Sequence, residues 1–246
     1  MNTANMLLFY YGCQYLTNQA FYSSVIVPLY KRYNNLQWCN YGDYPVAKAD
    51  AATVPDLNGH SIYLPASTAP VYSPVVYGYV NQLGSQDSRF TEPFYIVAWH
   101  ANTLRVPYRV KPDAKLMPWV APKRLSNVLD NTWWVEQLFH ACCLCGPNLL
   151  YFNADDFTAI SNWRFDNAIS QFISQSKGQK WSNVLTTELI RYDTANYVYS
   201  ACRLADKSVV GRVTFKDGVN SATFTVSGKT YTVKRPDGQI GNWFHS

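Results

Sequence analysis

The residues best placed to do chemistry are a small set of carboxylates and amides that follow short apolar runs. Asp43 sits in Asn40-Tyr41-Gly42-Asp43-Tyr44, and Asn153, Asp155 and Asp156 follow the run Asn148 to Phe152. A carboxylate at the end of a strand can serve as general acid, base or nucleophile, or can hold ligand hydroxyls. Each also has a plain structural reading. Asp43 fits a Gly-Asp turn bonded to its own backbone, and Asp155-Asp156 fit helix caps. A second cluster, His140 with Cys142, Cys143 and Cys145, has the elements of a metal site but not the CxxC spacing. Free thiols packed as small apolar residues explain it better, and no metal is expected. His100 and His140 fall mid-helix, where a hydrogen-bonded core role is the commoner one. No GxSxG elbow, GxGxxG turn or P-loop occurs, which removes the usual signatures of serine hydrolases and nucleotide enzymes. Pro55 to Gly59 offers too few oxygen ligands for a Ca²⁺ loop.

These residues need elements to hold them. From Thr132, apolar residues recur at three- and four-residue steps (Trp133, Trp134, Leu138, Phe139, Cys142, Cys145), which predicts a buried helix. Gly146-Pro147 stops it, and Asn148 to Phe152 reads as a strand covered on both faces. In α/β proteins, ligands bind beyond the carboxyl ends of such strands. The same helix–strand–polar-loop order is read earlier. Thr3 to about Tyr33 is predicted helical with a kink before Pro28, and Leu36 to Asn40 a strand. Val46 to Tyr72 is a long Pro-rich stretch, and Ser73-Pro74 opens a short helical piece through Val80. A helix capped by Thr91 is expected to end before Pro107. Leu116 to Val120 is a third strand, with Pro118 unusual inside it, and Ser161 to Ser176 an amphipathic helix. After Lys177 the pattern changes to short β-branched strands (Tyr197–Leu204, Val209–Phe215, Ala222–Val226, Thr230–Val233) separated by turns. The expected organisation is an α/β domain over residues 1–182 and an antiparallel β-domain over residues 183–246.

Composition narrows the function classes. Hydrophobic residues make up 48% of the 246 and charged residues only 15%, well below the roughly 25% charged of an ordinary soluble domain. Aromatic residues reach 16%, including 19 Tyr and 8 Trp, more than a core needs. Flat amphipathic rings at a surface suit sugar stacking and protein contacts. The net charge of +5 is spread without a basic run, which disfavours nucleic acid. No segment has the ~18 uninterrupted apolar residues of a membrane span. The first residues lack a basic n-region, so no signal peptide is read; the location stays open, with virion and cytoplasm both compatible.

The segments Asn40-Tyr41-Gly42-Asp43-Tyr44, Ser73-Pro74-Val75-Val76-Tyr77-Gly78, Met117-Pro118-Trp119-Val120 and Phe139-His140-Ala141 with Gly146 and Tyr151-Phe152-Asn153 lie in an order that resembles the C-terminal half of a glycoside-hydrolase-type (β/α)₈ barrel with its appended β-sandwich. The resemblance spans about residues 3 to 240 and rests on layout. It implies partial TIM-barrel-like βα units, a glycan as ligand and no cofactor. It makes Asp43 and Asp155 the catalytic candidates and Trp38, Tyr41, Trp119 and Asn153 the substrate-binding ones. No Glu stands at a predicted strand end, since Glu136 falls on a helix and Glu92 near a helix start. A complete barrel needs eight strands, and only about half are read here, so either a protein partner or a second copy of the chain completes it, or the layout is an open or remodelled relative. The alternative is a catalytically inactive structural or attachment component of a large assembly such as a virion. The low charge, the abundant Tyr and the long Pro-rich arm suit that role.

Overall fold

The computed structural model describes residues 8–11, 37–42, 71–77, 92–110, 112–113, 115–121, 131–151, 159–190 and 194–246. Within them the chain forms four layers. The first is a parallel sheet of β1 (Leu8–Tyr11), β2 (Gln37–Gly42), β3 (Val71–Tyr77), β4 (Lys115–Leu116), β5 (Trp119–Ala121) and β6 (Leu150–Tyr151). Its lateral order is β1-β2-β3-β5-β6, with β4 also on β3, and every pairing is parallel. The second layer contains α1 (Pro93–Val110) and α2 (Asn131–Cys145), with α3 (Ala159–Gln175) packed on α2. The third is an antiparallel sheet, ordered β12 (Gly241–His245), β9 (Val209–Phe215), β8 (Tyr197–Leu204), β7 (Trp181–Val184). A hairpin of β10 (Ser221–Val226) and β11 (Lys229–Lys234) covers its far face.

Several elements differ from the sequence expectation. Leu8–Tyr11, inside the stretch read as helix, is a strand. So is Val71–Tyr77, where a helical piece was expected from Ser73. Five of the seven residues of β3 are Val or Tyr, and β-branched and aromatic side chains favour the pleated sheet. Helix α1 does not stop before Pro107 but runs on to Val110. Tyr108, 2% exposed, is held there by a hydrogen bond from its hydroxyl to the Leu144 carbonyl. That tertiary anchor outweighs the one backbone bond that proline removes. Pro118 acts as its chemistry demands. It interrupts the third strand into β4 and β5, and the register against β3 is the same on both sides of the gap.

Helix α2 is the centre of the molecule. Apart from Val135 it is buried from Trp133 to Cys145, because it lies between two sheets. Gly146 ends it with φ at 61°, the left-handed conformation that glycine adopts at least cost. Asn148 Nδ2 donates to the Cys145 carbonyl at 3.1 Å, satisfying one of the carbonyls a helix end leaves open. Trp181 closes over Gly146 so tightly that a Cβ there would fall 1.8 Å from the indole Nε1.

The antiparallel sheet obeys the period of two. Ser200, Arg212 and Thr214 turn toward α1 and α2, while Ala201, Val213 and Phe215 turn toward the hairpin. Strand β9 is buried along its whole length, since it has a helix on one face and the hairpin on the other. Trp181–Val184 straddles residue 182 and pairs with β8, and Val184 and Val198 share one apolar cluster with α1 and α2.

Candidate functional site

Strands β2, β3, β5 and β6 all point the same way, so their carboxyl ends (Gly42, Tyr77, Ala121 and Tyr151) form one edge. Asp43 follows Gly42 directly in the sequence, and Asn153 and Asp155 come shortly after Tyr151. Asp43, Asn153 and Asp155 themselves lie outside the described residues. Trp38 and Tyr41 belong to β2, where Trp38 pairs with Phe9 and Tyr41 with Ser73 along the backbone. Trp119 opens β5 opposite Val75 and Leu150, and it is half-buried. The parallel sheet therefore sets Gly42 and Tyr151, the last described residues before Asp43 and Asp155, at one edge. Strands β2 and β6 are three strand spacings apart, about 14 Å across a flat sheet at ~4.8 Å per spacing. An acid–base pair for glycoside hydrolysis works at roughly 5–9.5 Å.

Two cavities are present among the described residues. The larger, about 690 Å³, is lined by Lys115, Pro147, Asn148, Phe172, Trp181 and neighbours. Lys115 begins β4 and Asn148 precedes β6, so this cavity opens at the amino edge of the sheet, opposite the carboxyl strand ends. The smaller, about 480 Å³, lies between α2, α3 and β12.

The densest polar chemistry that the sequence reading missed is a buried network between the helices and β8–β9. Arg212 makes a two-pronged ion pair with Glu136, with Nε donating to Oε2 at 2.9 Å and Nη2 donating to Oε1. Thr214 Oγ1 donates to Glu136 Oε2 at 2.7 Å. His140 Nε2 lies 2.8 Å from Thr214 Oγ1, and His140 Nδ1 lies 2.8 Å from Ser200 Oγ. The hydroxyl proton of Thr214 is committed to Glu136, so Nε2 of His140 must be the protonated nitrogen. Nδ1 then accepts from Ser200. The chain continues through Arg105, whose Nη2 reaches Ser200 Oγ and donates to the Tyr199 carbonyl. It ends at Asn102, bonded both ways to the Ile190 backbone at 2.8 and 2.9 Å.

Burial sets the electrostatics of this network. It holds His140 well below the ordinary imidazole value, and Arg105 and Arg212 push in the same direction. His140 is thus neutral, which leaves Nδ1 to accept from Ser200. Burial also lowers His100 to about 4, against a side-chain hydrogen bond to Gln137 that opposes it. Arg105 is lowered to about 10 by desolvation. A Ser–His–Thr–Glu series invites comparison with a hydrolase relay, and Ser200 does point its proton at His140, but Ser200 is fully buried and out of a substrate's reach. Glu136 has no free oxygen to offer as a base. The network is therefore a connector between layers, and its partners are 60 to 95 residues apart in sequence, which is why no local motif announced it.

The cysteines Cys142, Cys143, Cys145 and Cys202 are free and buried. Desolvation raises all four thiols, Cys202 to about 12. Among the described residues no group of three or more His, Cys, Asp or Glu converges as metal ligands. No described helix is long and apolar enough to cross a membrane.

No family model matches the chain, and no curated protein matches it. Among solved structures it is similar to an endo-beta1,6-glucanase, at 10% identity and a TM-score of 0.44, over 95% of this chain and 54% of that one. The chain thus spans about half the length of that enzyme. The likeness is loose and assigns no function.

Proposed function

We propose that this chain is a carbohydrate-directed protein built on part of a (β/α) barrel plan, taking a glycan at the carboxyl edge of its parallel sheet. The observation that carries this reading is the strand order. Five strands lie side by side in the order of the sequence, all parallel, with α1 and α2 set between successive strands. Barrels of this plan use the carboxyl ends of their strands for ligands. On this reading Tyr41, next to the carboxyl end of β2, and Trp119 supply stacking faces, Asn153 holds hydroxyls, and Asp43 and Asp155 are the carboxylates; Trp38, four residues before that end and on the other face, is left out. Binding is the primary activity. Hydrolysis also requires the two carboxylates to approach within the working range, closer than the ~14 Å between their strand ends. Fold by itself does not fix chemistry, so the test is direct. The chain is titrated with neutral and acidic oligosaccharides and assayed for turnover, alongside Asp43→Asn and Asp155→Asn. A glycan whose affinity or turnover drops in either variant supports the proposal. Binding or turnover that neither variant changes removes it.

A further inference from the structure

We propose that the cavity between α2, α3 and β12 is a second binding site, specific for a neutral, hydroxyl-rich ligand such as a mono- or disaccharide. It stands on its own residues and not on the carboxyl-edge reading. Its volume of about 480 Å³ falls within the ~300–1,000 Å³ of small-ligand sites. It also lies on the other side of α2 from the parallel sheet. Gln137 reaches the Val76 carbonyl of β3 at 2.6 Å, whereas Glu136 and Phe139 on the same helix line the cavity.

Its chemistry is specific. Glu136 and Arg212 are 3% and 5% exposed and neutralise each other at the wall. The remaining lining residues, among them Gln171, Gln239, Asn242 and Trp243, carry no charge. A cavity that is polar but uncharged does not select an acid or a base; it selects hydroxyl groups. Its hydrogen-bonding capacity is partly unspent. Arg212 gives Nε and Nη2 to Glu136, and Nη1 has no hydrogen-bond partner among the described residues. Gln171 donates Nε2 to Asn167, leaving its carbonyl oxygen to accept. A donor from Arg212 and an acceptor from Gln171 match the paired donor and acceptor character of a sugar hydroxyl.

The test titrates the full chain with methyl β-glucoside, methyl α-mannoside, lactose, chitobiose and glucuronate, by saturation-transfer NMR and calorimetry. Gln171→Ala combined with Gln239→Ala removes amides with little structural consequence, and Val135→Trp fills the cavity from α2. At least one neutral probe should bind. The amide variant should weaken it about tenfold, and Val135→Trp should abolish it. No neutral probe bound at about 10 mM, binding untouched by both cavity variants, or a preference for glucuronate overturns the proposal. Binding lost only in the Asp43 or Asp155 variant would locate the glycan at the sheet edge and also overturn it.

Discussion

Replacing Glu136 by alanine isolates the connection between the helical layer and the antiparallel sheet. Three hydrogen bonds end on this carboxylate, two from Arg212 and one from Thr214. Its removal leaves the Arg212 guanidinium 5% exposed with no anion. Breaking a buried pair from one side costs about 3–5 kcal/mol, because the remaining charge stays desolvated. Two features pull toward the lower end. The guanidinium lies 4.5 Å over the Phe139 ring and 5.3 Å from Trp243, contacts worth about 0.5–2 kcal/mol that survive the change. The adjoining cavity also lets water in. The expected loss is therefore about 3 kcal/mol, read as a lower urea midpoint by tryptophan fluorescence. The paired replacement Glu136→Leu with Arg212→Met should cost less than Glu136→Ala alone, since no charge is stranded. A loss below about 1 kcal/mol for Glu136→Ala would mean that the pair behaves as a surface ion pair and that the network does not couple the layers.

Three further outcomes follow from the same geometry. Both buried histidines have depressed folded pKa values, so the stability they contribute is complete above the unfolded value of ~6.5 and is lost as pH falls through the folded value. His100, lowered to about 4, alone accounts for about 3 kcal/mol across that window. Urea unfolding from pH 7 to pH 4 should show the decline, with a shallower slope in His140→Gln, and a flat profile would contradict it. Gly241→Ala would set a Cβ 2.4 Å from Glu136 Oε2 and 2.7 Å from the Val213 carbonyl, so a loss of about 1–3 kcal/mol in urea unfolding is expected, and an unchanged midpoint would refute the contact. Cys142, Cys143, Cys145 and Cys202 should resist alkylation at pH 8 in the folded chain and react in urea, as read by peptide mass spectrometry, because burial both raises and shields these thiols. Labelling of Cys142, Cys143 or Cys145 at the rate of a free thiol would place α2 at a surface, and labelling of Cys202 would do the same for β8.

The antiparallel module was legible because its signals are local. Ser227-Gly228, with φ at 51° and 80°, makes the two-residue turn that Ser-Gly between alternating strands announces. Helix α2 and its stop were legible for the same reason. Strands β1 and β3 were not, because a short apolar run carries no period that separates strand from buried helix. Pro107 misled because a proline is a local rule, while Tyr108 bonding to Leu144 is a tertiary fact. Glu136 was read as structural from its helical position, but its partners Arg212 and Thr214 lie 76 and 78 residues away. Asp43 and Asp155 were singled out for following predicted strands; β2, β3, β5 and β6 are parallel, and the two carboxylates themselves lie outside the described residues.

The most direct measurement is calorimetric titration of the full chain with a panel of oligosaccharides, repeated with Asp43→Asn and Asp155→Asn. Saturable binding to at least one glycan, weakened about tenfold or more by either substitution, is the expected result, since a hydrogen bond to a charged group is worth about 1.5–3 kcal/mol. No binding to any glycan, or binding that both variants leave intact, would contradict a glycan site at the carboxyl edge of the sheet.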